Sequence, residues 1–171
     1  MQCPPLVFVR AARPADAPAI AAIYNQGITR RIATFETRLR SAEDILTWFE
    51  DERHPHLVAE AADQVAGWIS ASTYRPRECY AGIAEFSVYV GDAFQGWGIG
   101  SRLMESFLPV CEAAGLWKLV SRIFIENSAS RALCHKHGFR EVGIYEKHAK
   151  LDGVWRDVVI VERLLGSARS E

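Results

Sequence analysis

A glutamate followed closely by a glycine-rich turn is the feature of this sequence with the clearest chemistry. Glu85 lies in a run of β-branched and aromatic residues, and residues 95–101 then read Gln-Gly-Trp-Gly-Ile-Gly-Ser. Apolar residues recur at helical spacing beyond this point, which predicts a strand that leads into the N-terminus of a helix. Unpaired N–H groups and the positive end of the helix dipole bind phosphate at such a place.

The spacing of the glycines excludes two common kinds of phosphate-binding loop. The dinucleotide fingerprint needs a third glycine where Leu103 stands, and a P-loop needs a lysine that residues 100–102 lack. The remaining pattern, Q-x-x-G-x-G after a strand, resembles the pyrophosphate loop of the GCN5-related N-acetyltransferases, which bind acetyl-CoA. The alternative is a turn that only joins a strand to a helix.

The resemblance extends from about Val9 to Arg163. It is closest to the phosphinothricin / methionine sulfoximine N-acetyltransferase branch of that superfamily. Further matching segments lie at residues 23–25, 33–36, 58–60, 67–68, 127–130, 137–139 and 153–157.

Composition predicts one globular domain over residues 1–171, with loose ends at 1–5 and 166–171. Apolar residues make up 49% of the chain and charged residues 24%, which suits a packed core. The formal net charge of −1 provides no field for a polyanion, so nucleic acid and anionic membranes are not expected partners.

The sequence indicates a cytoplasmic location. The N-terminus has no secretory signal, and no apolar run reaches the length of a membrane span. Reduced thiols are the simplest reading of four cysteines without C-x-x-C spacing, namely Cys3, Cys79, Cys111 and Cys134. We expect no metal site, because the pairs His54/His56 and His135/His137 lack further supporting ligands.

The order of strand-like and helical segments predicts an α/β fold with a mixed sheet and helices on both faces. The acetyltransferase resemblance implies a mostly antiparallel sheet in which two parallel strands, ending at Val90 and Ile125, splay apart around the cofactor. It also implies a bulge near residues 86–88. Four tryptophans are expected in the core: Trp48, Trp68, Trp117 and Trp155.

Acetyl transfer needs a neutral amine, hydrogen-bond donors for the thioester oxygen and a proton for the leaving thiolate. The resemblance implies that Glu85 is the general base and that Val88 and Val90 donate backbone N–H groups. The alternative for Glu85 is a solvated or salt-bridged residue at the start of a strand.

The resemblance also implies a set of cofactor-binding residues: Val88, Tyr89, Val90, Gln95, Gly96, Trp97, Gly98, Ile99, Gly100, Ser101, Asn127 and Cys134. Asn127 also suits a helix N-cap. Cys134 stands where the family often has tyrosine or histidine near the cofactor sulfur. Cys134, His135 or water then protonates the thiolate, unless Cys134 is only a packed apolar residue.

Two arginines precede the strand that contains Glu85. If the chain is extended there, residues two apart point to the same face. The guanidinium groups of Arg75 and Arg77 match carboxylate or phosphonate oxygens, so they are the expected ligands of an amino-acid substrate. The alternative is a solvated loop. Other expected substrate contacts are Phe35, Tyr80, Glu85, Phe86 and Ser87, with core packing as the alternative for Phe35 and Tyr80.

We therefore expect an acetyl-CoA-dependent N-acetyltransferase acting directly on the α-amine of a small glutamate-like amino acid. Its range includes phosphinothricin, methionine sulfoximine and arsinothricin, so its role is resistance to a toxin or detoxification of a metabolite. The rivals are a polyamine, an aminoglycoside or a protein N-terminus as acceptor, and a non-catalytic acyl-CoA sensor. The family also implies a homodimer, whose pocket could borrow residues 35–36 or 155–157 from the second subunit.

Overall fold

Seven strands form one sheet in the computed structural model, which describes residues 6–170. Their order across the sheet is β1-β2-β3-β4-β5-β7-β6, and only the β4–β5 pair is parallel. The predicted mixed, mostly antiparallel α/β fold is therefore confirmed. The strands are β1 Phe8–Ala11, β2 His56–Ala61, β3 Gln64–Thr73, β4 Ile83–Val90, β5 Lys118–Phe124, β6 Arg140–Leu151 and β7 Val154–Leu164.

Helices cover both faces of this sheet. They are α1 Ala17–Arg30, α2 Ala42–Leu46, α3 Ile99–Ala113 and α4 Ser128–Lys136. A capping box starts α2, since Ser41 Oγ accepts from Asp44 N at 3.2 Å and Asp44 Oδ2 accepts from Ser41 N at 2.8 Å. None of the helices within residues 6–170 has the length and hydropathy that a bilayer crossing needs.

The two faces have different cores. Leu103, Met104 and Phe107 of α3 are fully buried against the face that carries Phe86. On the other face α1 packs over an aromatic group, in which the ring of Trp68 stacks on Tyr89 with centroids 4.9 Å apart. Strand β4, which carries both Phe86 and Tyr89, thus sends side chains into two separate packing layers.

Two tryptophans are not in the core, so that prediction is wrong for them. Trp117 is 41% exposed and lies across Gly82, where a side chain would collide with its ring. Trp155 is 51% exposed on the terminal hairpin, with Lys150 Nζ 4.7 Å from its ring centroid. Strand alternation alone does not distinguish a covered face from an uncovered one.

The splay between β4 and β5 is the feature that positions the site. Pairing covers only Ile83–Glu85 with Lys118–Val120. Past that point Ser121 Oγ donates to Phe86 O at 3.0 Å, and the strands separate. The β3–β4 register runs without a shift from Ala84 to Val90, so the bulge expected near residues 86–88 is absent from this pair.

The two predicted loose ends are described unequally. Residues 1–5 lie outside the described part of the chain. Gly166–Arg169 form a 3-10 turn. A Cβ on Gly166 would lie 3.3 Å from Glu112 Oε1, so this turn packs close to the end of α3.

Candidate active site

The end of β4 turns its peptide groups into the gap between the splayed strands. Gly91 N donates to Ala66 O of β3 at 2.8 Å. Because only every second residue of an antiparallel strand bonds to a given neighbour, Val88 and Val90 do not bond to β3. Their N–H groups point toward the opposite side, where β5 has separated. The two predicted backbone donors are thus available to a bound group.

A left-handed glycine starts α3 at the edge of this gap. Gly98 is the N-cap residue with φ of 76°, a conformation that costs other residues about 1 kcal/mol. The first helical bond runs from Arg102 N to Gly98 O at 3.1 Å. The preceding N–H groups of Ile99, Gly100 and Ser101 have no helical acceptor, so they and the helix dipole favour an anion there.

A cleft of about 470 Å³, the main cleft, joins these two features. The predicted cofactor residues that line it are Val88, Tyr89, Val90, Gln95, Gly96, Gly98, Ile99, Gly100, Ser101 and Asn127. Trp97 does not line it, because its ring stands edge-on to Phe94 with centroids 5.1 Å apart. The Tyr89 ring lies in the core, so only the backbone of this residue suits the cleft.

Polar side chains around the main cleft are already engaged in hydrogen bonds. Gln95 Nε2 donates to Val90 O at 2.8 Å, which ties the loop to the strand end. Asn127 Oδ1 accepts from Ser130 N at 3.1 Å, so the predicted N-cap of α4 is confirmed. Asn127 Nδ2 lies 3.5 Å from Ile32 O, on the far side of the cleft.

Two cations of the main cleft were missed by the sequence interpretation. Lys136 Nζ donates to Ser101 Oγ at 2.8 Å, and Arg30 Nη2 lies 2.7 Å from Asp92 Oδ1. Both residues line the cleft, where positive charge suits phosphate. No local signal marks them, because Lys136 is 35 positions from Ser101 along the chain.

Cys134 borders a small cavity of about 60 Å³ between the splayed strands. Only 2% of it is exposed, and burial raises the pKa of its thiol to about 12. The group is therefore a neutral thiol at physiological pH. His135 is exposed and lines neither the main cleft nor the small cavity.

Glu85 is held by an arginine that sequence reasoning did not single out. Arg122 Nη2 donates to both Glu85 oxygens, at 3.2 and 2.9 Å. Glu85 pairs with Val120 across the parallel strands, so Arg122, two residues later, projects from the same face. The glutamate is thus salt-bridged, which was the alternative to catalysis, yet it remains 28% exposed and borders the gap.

The arginine loop differs from its predicted conformation. After β3 the chain bends at residues 74, 76 and 77 before a 3-10 turn at Glu78–Tyr80, so Arg75 and Arg77 do not lie in one continuous extended segment, although the backbone of Arg77 itself is extended. Both side chains are exposed, and neither lines the main cleft or the small cavity. The Tyr80 ring is edge-on to Tyr74 at 5.8 Å.

The other expected substrate residues divide between the two faces. Phe35 lies on the Glu85 face and meets Phe124 edge-on at 4.8 Å. Ser87 is exposed and borders the small cavity. The Phe86 ring packs against Phe139 at 5.0 Å on the opposite face, so it is a core residue rather than a wall of the acceptor side.

A polar cavity of about 310 Å³ adjoins Ser87 on the α1 face and contains both members of the His54/His56 pair. His56 Nδ1 lies 2.7 Å from Ser70 Oγ, and its Nε2 lies 3.0 Å from Trp48 O. Burial lowers the pKa of His56, so its neutral form is favoured. Among residues 6–170 no three His, Cys, Asp or Glu side chains come together as metal ligands.

Comparison with known proteins identifies the family. Residues 7–140 match the model of the acetyltransferase (GNAT) domain. YwnH of Bacillus subtilis (strain 168), named provisionally as a phosphinothricin acetyltransferase, is 38% identical over 160 residues, which cover 92% of this chain and 98% of that protein. An L-methionine sulfoximine/L-methionine sulfone acetyltransferase of Pseudomonas aeruginosa is 32% identical over 95% of this chain and 96% of its own.

A solved structure supports the same assignment. The phosphinothricin acetyltransferase (Pat) of Sinorhizobium meliloti, in complex with AcCoA, superimposes with a TM-score of 0.89 at 27% identity, covering 96% of this chain and 91% of that one. Membership of this family therefore explains both the sequence similarity and the structural features, namely the splayed strands, the glycine-capped helix and the open cleft. The chain belongs to the GNAT acetyltransferase family, and acetyl-CoA is its co-substrate.

Proposed function

We propose that this enzyme acetylates the α-amine of a small, glutamate-like amino acid by direct transfer, with Glu85 as general base. The observation that carries the proposal is the position of Glu85, the last residue of β4 that pairs with β5, on the same strand as the peptide groups of Val88 and Val90. A base at that point can accept a proton from an amine while the same strand polarises the thioester carbonyl.

Acetyl-CoA supplies the activated acetyl group. The N–H groups of residues 99–101 and the ammonium of Lys136 bind its pyrophosphate at the start of α3. The N–H of Val88 or Val90 polarises the carbonyl that the amine attacks. Glu85 then takes the proton of the amine, directly or through a water molecule.

Cys134 assists the leaving thiolate by hydrogen bonding rather than by giving up its proton. Because burial raises the pKa of this thiol to about 12, it is a weaker acid than an unperturbed cysteine thiol of pKa about 8.5. Proton transfer from Cys134 to the thiolate is therefore uphill. We assign protonation of the thiolate to water, and Glu85, 28% of which is exposed, returns the proton of the amine to the solvent.

The substrate class rests on charge and on the relatives. Arg122 places a cation beside Glu85, and Arg75 and Arg77 are exposed in the loop before β4; these positive charges suit an anionic acceptor rather than a polyamine. Phe35 provides an apolar wall for a short side chain. The two relatives reported above are named for phosphinothricin and for methionine sulfoximine and sulfone, which are glutamate-like molecules.

The test is acetyl-CoA-dependent thiol release against phosphinothricin, methionine sulfoximine, methionine sulfone, the twenty amino acids, a polyamine and an aminoglycoside. We expect turnover with the glutamate-like compounds. Activity on the cationic amines alone would keep the chemistry and overturn the substrate class. No turnover with any of them, with acetyl-CoA still bound, would favour a sensor.

We further propose a cytoplasmic homodimer that associates through the outer hairpin. Strand β6 is an edge of the sheet, and large apolar side chains between 48% and 57% exposed lie on β6 and β7, namely Val142, Ile144, Tyr145, Val154 and Trp155. Sedimentation of the wild-type protein and of Ile144→Lys checks this. A wild-type monomer at micromolar concentration would rule the dimer out.

A further inference from the structure

Arg122 stands beside the proposed base and has unused hydrogen-bonding capacity. It makes one contact with Glu85, in which a single nitrogen, Nη2, spans both carboxylate oxygens at 3.2 and 2.9 Å. Its Nε and Nη1 have no acceptor within residues 6–170, and 51% of the side chain is exposed. A guanidinium has five N–H donors in one plane, so most of this fork is open.

Arg131 shows what an arginine with a purely structural role looks like in the same molecule. Its Nε and Nη2 each donate to one oxygen of Glu141, at 2.8 and 3.0 Å, and its Nη1 donates to Ile125 O at 3.0 Å. All three of its nitrogens are engaged. Arg122 instead leaves two nitrogens free beside the small cavity, which it lines together with Ser87.

Distance decides which substrate group can reach this free edge. If Glu85 takes the proton of the amine, the amine nitrogen lies close to the Glu85–Arg122 pair. By standard bond lengths, a carboxylate oxygen of an α-amino acid lies about 3 Å from its own amine nitrogen. The head group of a glutamate-like side chain lies roughly twice as far away, so the α-carboxylate is the anion within reach of Arg122.

We propose that Arg122 binds the α-carboxylate of the acceptor while it holds Glu85, and that it thereby restricts the enzyme to amino acids over simple amines. This inference rests on the proposed function. The ion pair presents a negative and a positive group side by side, which complements the ammonium and carboxylate of a zwitterion. An amine without a carboxylate brings its cation next to the guanidinium and leaves the free donors unpaired. Arg75 and Arg77 are then available for the distal head group.

The test compares methionine sulfone with 3-(methylsulfonyl)propan-1-amine, which is the same molecule without its carboxylate. The ratio of the two kcat/KM values is measured for the wild type, Arg122→Met, Arg122→Lys and the control Arg53→Met. Arg53 is 76% exposed, and its partner Asp51 lies outside the main cleft and the small cavity. Loosening of Glu85 slows both substrates alike, so the ratio isolates the contact with the carboxylate.

We expect the wild type and Arg53→Met to prefer the amino acid by about a hundredfold, as charge-assisted hydrogen bonds to one carboxylate provide. Arg122→Met should lose most of that preference, and Arg122→Lys should keep part of it. If Arg122→Met turns over too slowly, the ratio of the dissociation constants of the two N-acetylated products, measured by calorimetry, tests the same carboxylate contact independently of the rate.

Two other results have distinct meanings. An unchanged ratio in Arg122→Met, with both rates lowered, would overturn the inference and leave Arg122 as a positioning residue for Glu85. A wild type that acetylates no amino acid at all would overturn the proposed function itself.

Discussion

The two halves of the site are built in different ways. The cofactor side consists mainly of backbone, with a glycine-capped helix, the open N–H groups of residues 99–101 and the turned-out peptides of β4. The acceptor side consists of side chains from distant segments, such as the Glu85–Arg122 pair and the Phe35–Phe124 contact. In the proposed mechanism, the first half binds acetyl-CoA, which all members of the family use. Single substitutions in the second half can change the acceptor.

The largest effect should come from the acceptor side. Glu85→Gln keeps the shape of the side chain but removes the base, so we expect kcat to fall by about a hundredfold or more. The affinity for acetyl-CoA, measured by calorimetry, should stay unchanged because residue 85 does not line the main cleft. The matched control is Glu141→Gln, which also loses a carboxylate held by an arginine.

Full activity in Glu85→Gln would remove Glu85 from the mechanism. An equal loss in Glu141→Gln would indicate damage to the fold instead.

The next effect should be specific to the cofactor side. Gly98→Ala forces a Cβ into a left-handed residue, at a cost of about 1 kcal/mol, and shifts the N–H groups that follow. We expect KM for acetyl-CoA to rise about tenfold with little change in acceptor preference. Gly115→Ala is the control, since Gly115 has φ of 85° and open space around it but lies at the other end of α3.

Thermal melts should show similar destabilisation for the two glycine variants. If Gly115→Ala also raised KM for acetyl-CoA, the effect would come from stability and not from the anion site.

A smaller effect is expected at the cations of the main cleft. Lys136→Met removes the ammonium beside Ser101, and we expect KM for acetyl-CoA to rise about threefold to tenfold at low salt. The rise should shrink as ionic strength increases, because the charge is exposed to solvent. Lys150→Met, on the outer hairpin, should leave KM unchanged at every salt concentration.

The smallest effect on rate is expected at Cys134. Cys134→Ala should lower kcat by less than about tenfold, since water can protonate the thiolate. Thiol labelling followed by mass spectrometry checks the environment of this residue. Burial raises the pKa of Cys134 to about 12, so at pH 7 the exposed Cys79 should react first, and labelling of Cys134 should increase as pH rises.

Cys111 is the matched control, because it is also buried and its pKa is also raised to about 12. Acetyl-CoA should protect Cys134 but not Cys111. Equal protection of both would mean that the ligand only slows opening of the fold.

The same contrast explains how far the sequence could predict this site. The start of α3 was predictable because its glycines, the strand before them and the helical spacing after them all lie within one short segment. Gly96, Gly98 and Gly100 of that segment line the main cleft. Asn127 was predictable as an N-cap for the same local reason. The bulge at residues 86–88 was an implication of the family that this chain does not follow.

The acceptor side was harder because its contacts join distant segments. Arg122 meets Glu85 across 37 positions, and only the register of the parallel strands brings them together. Arg75 and Arg77 were expected on one face of an extended segment, whereas the chain bends between them. Trp155 failed as a core residue, since it is 51% exposed on the terminal hairpin, where Lys150 lies over its ring.

The central claim is that amino acid and acetyl-CoA occupy the two halves at once and that the acetyl group passes directly between them. Initial rates measured with both substrates varied test this most directly, together with the intact mass of the enzyme after incubation with acetyl-CoA alone. We predict intersecting double-reciprocal lines and no acetylated enzyme. Parallel lines with an acetyl group on Cys134 would contradict the account, because they would show that the transfer proceeds through the enzyme.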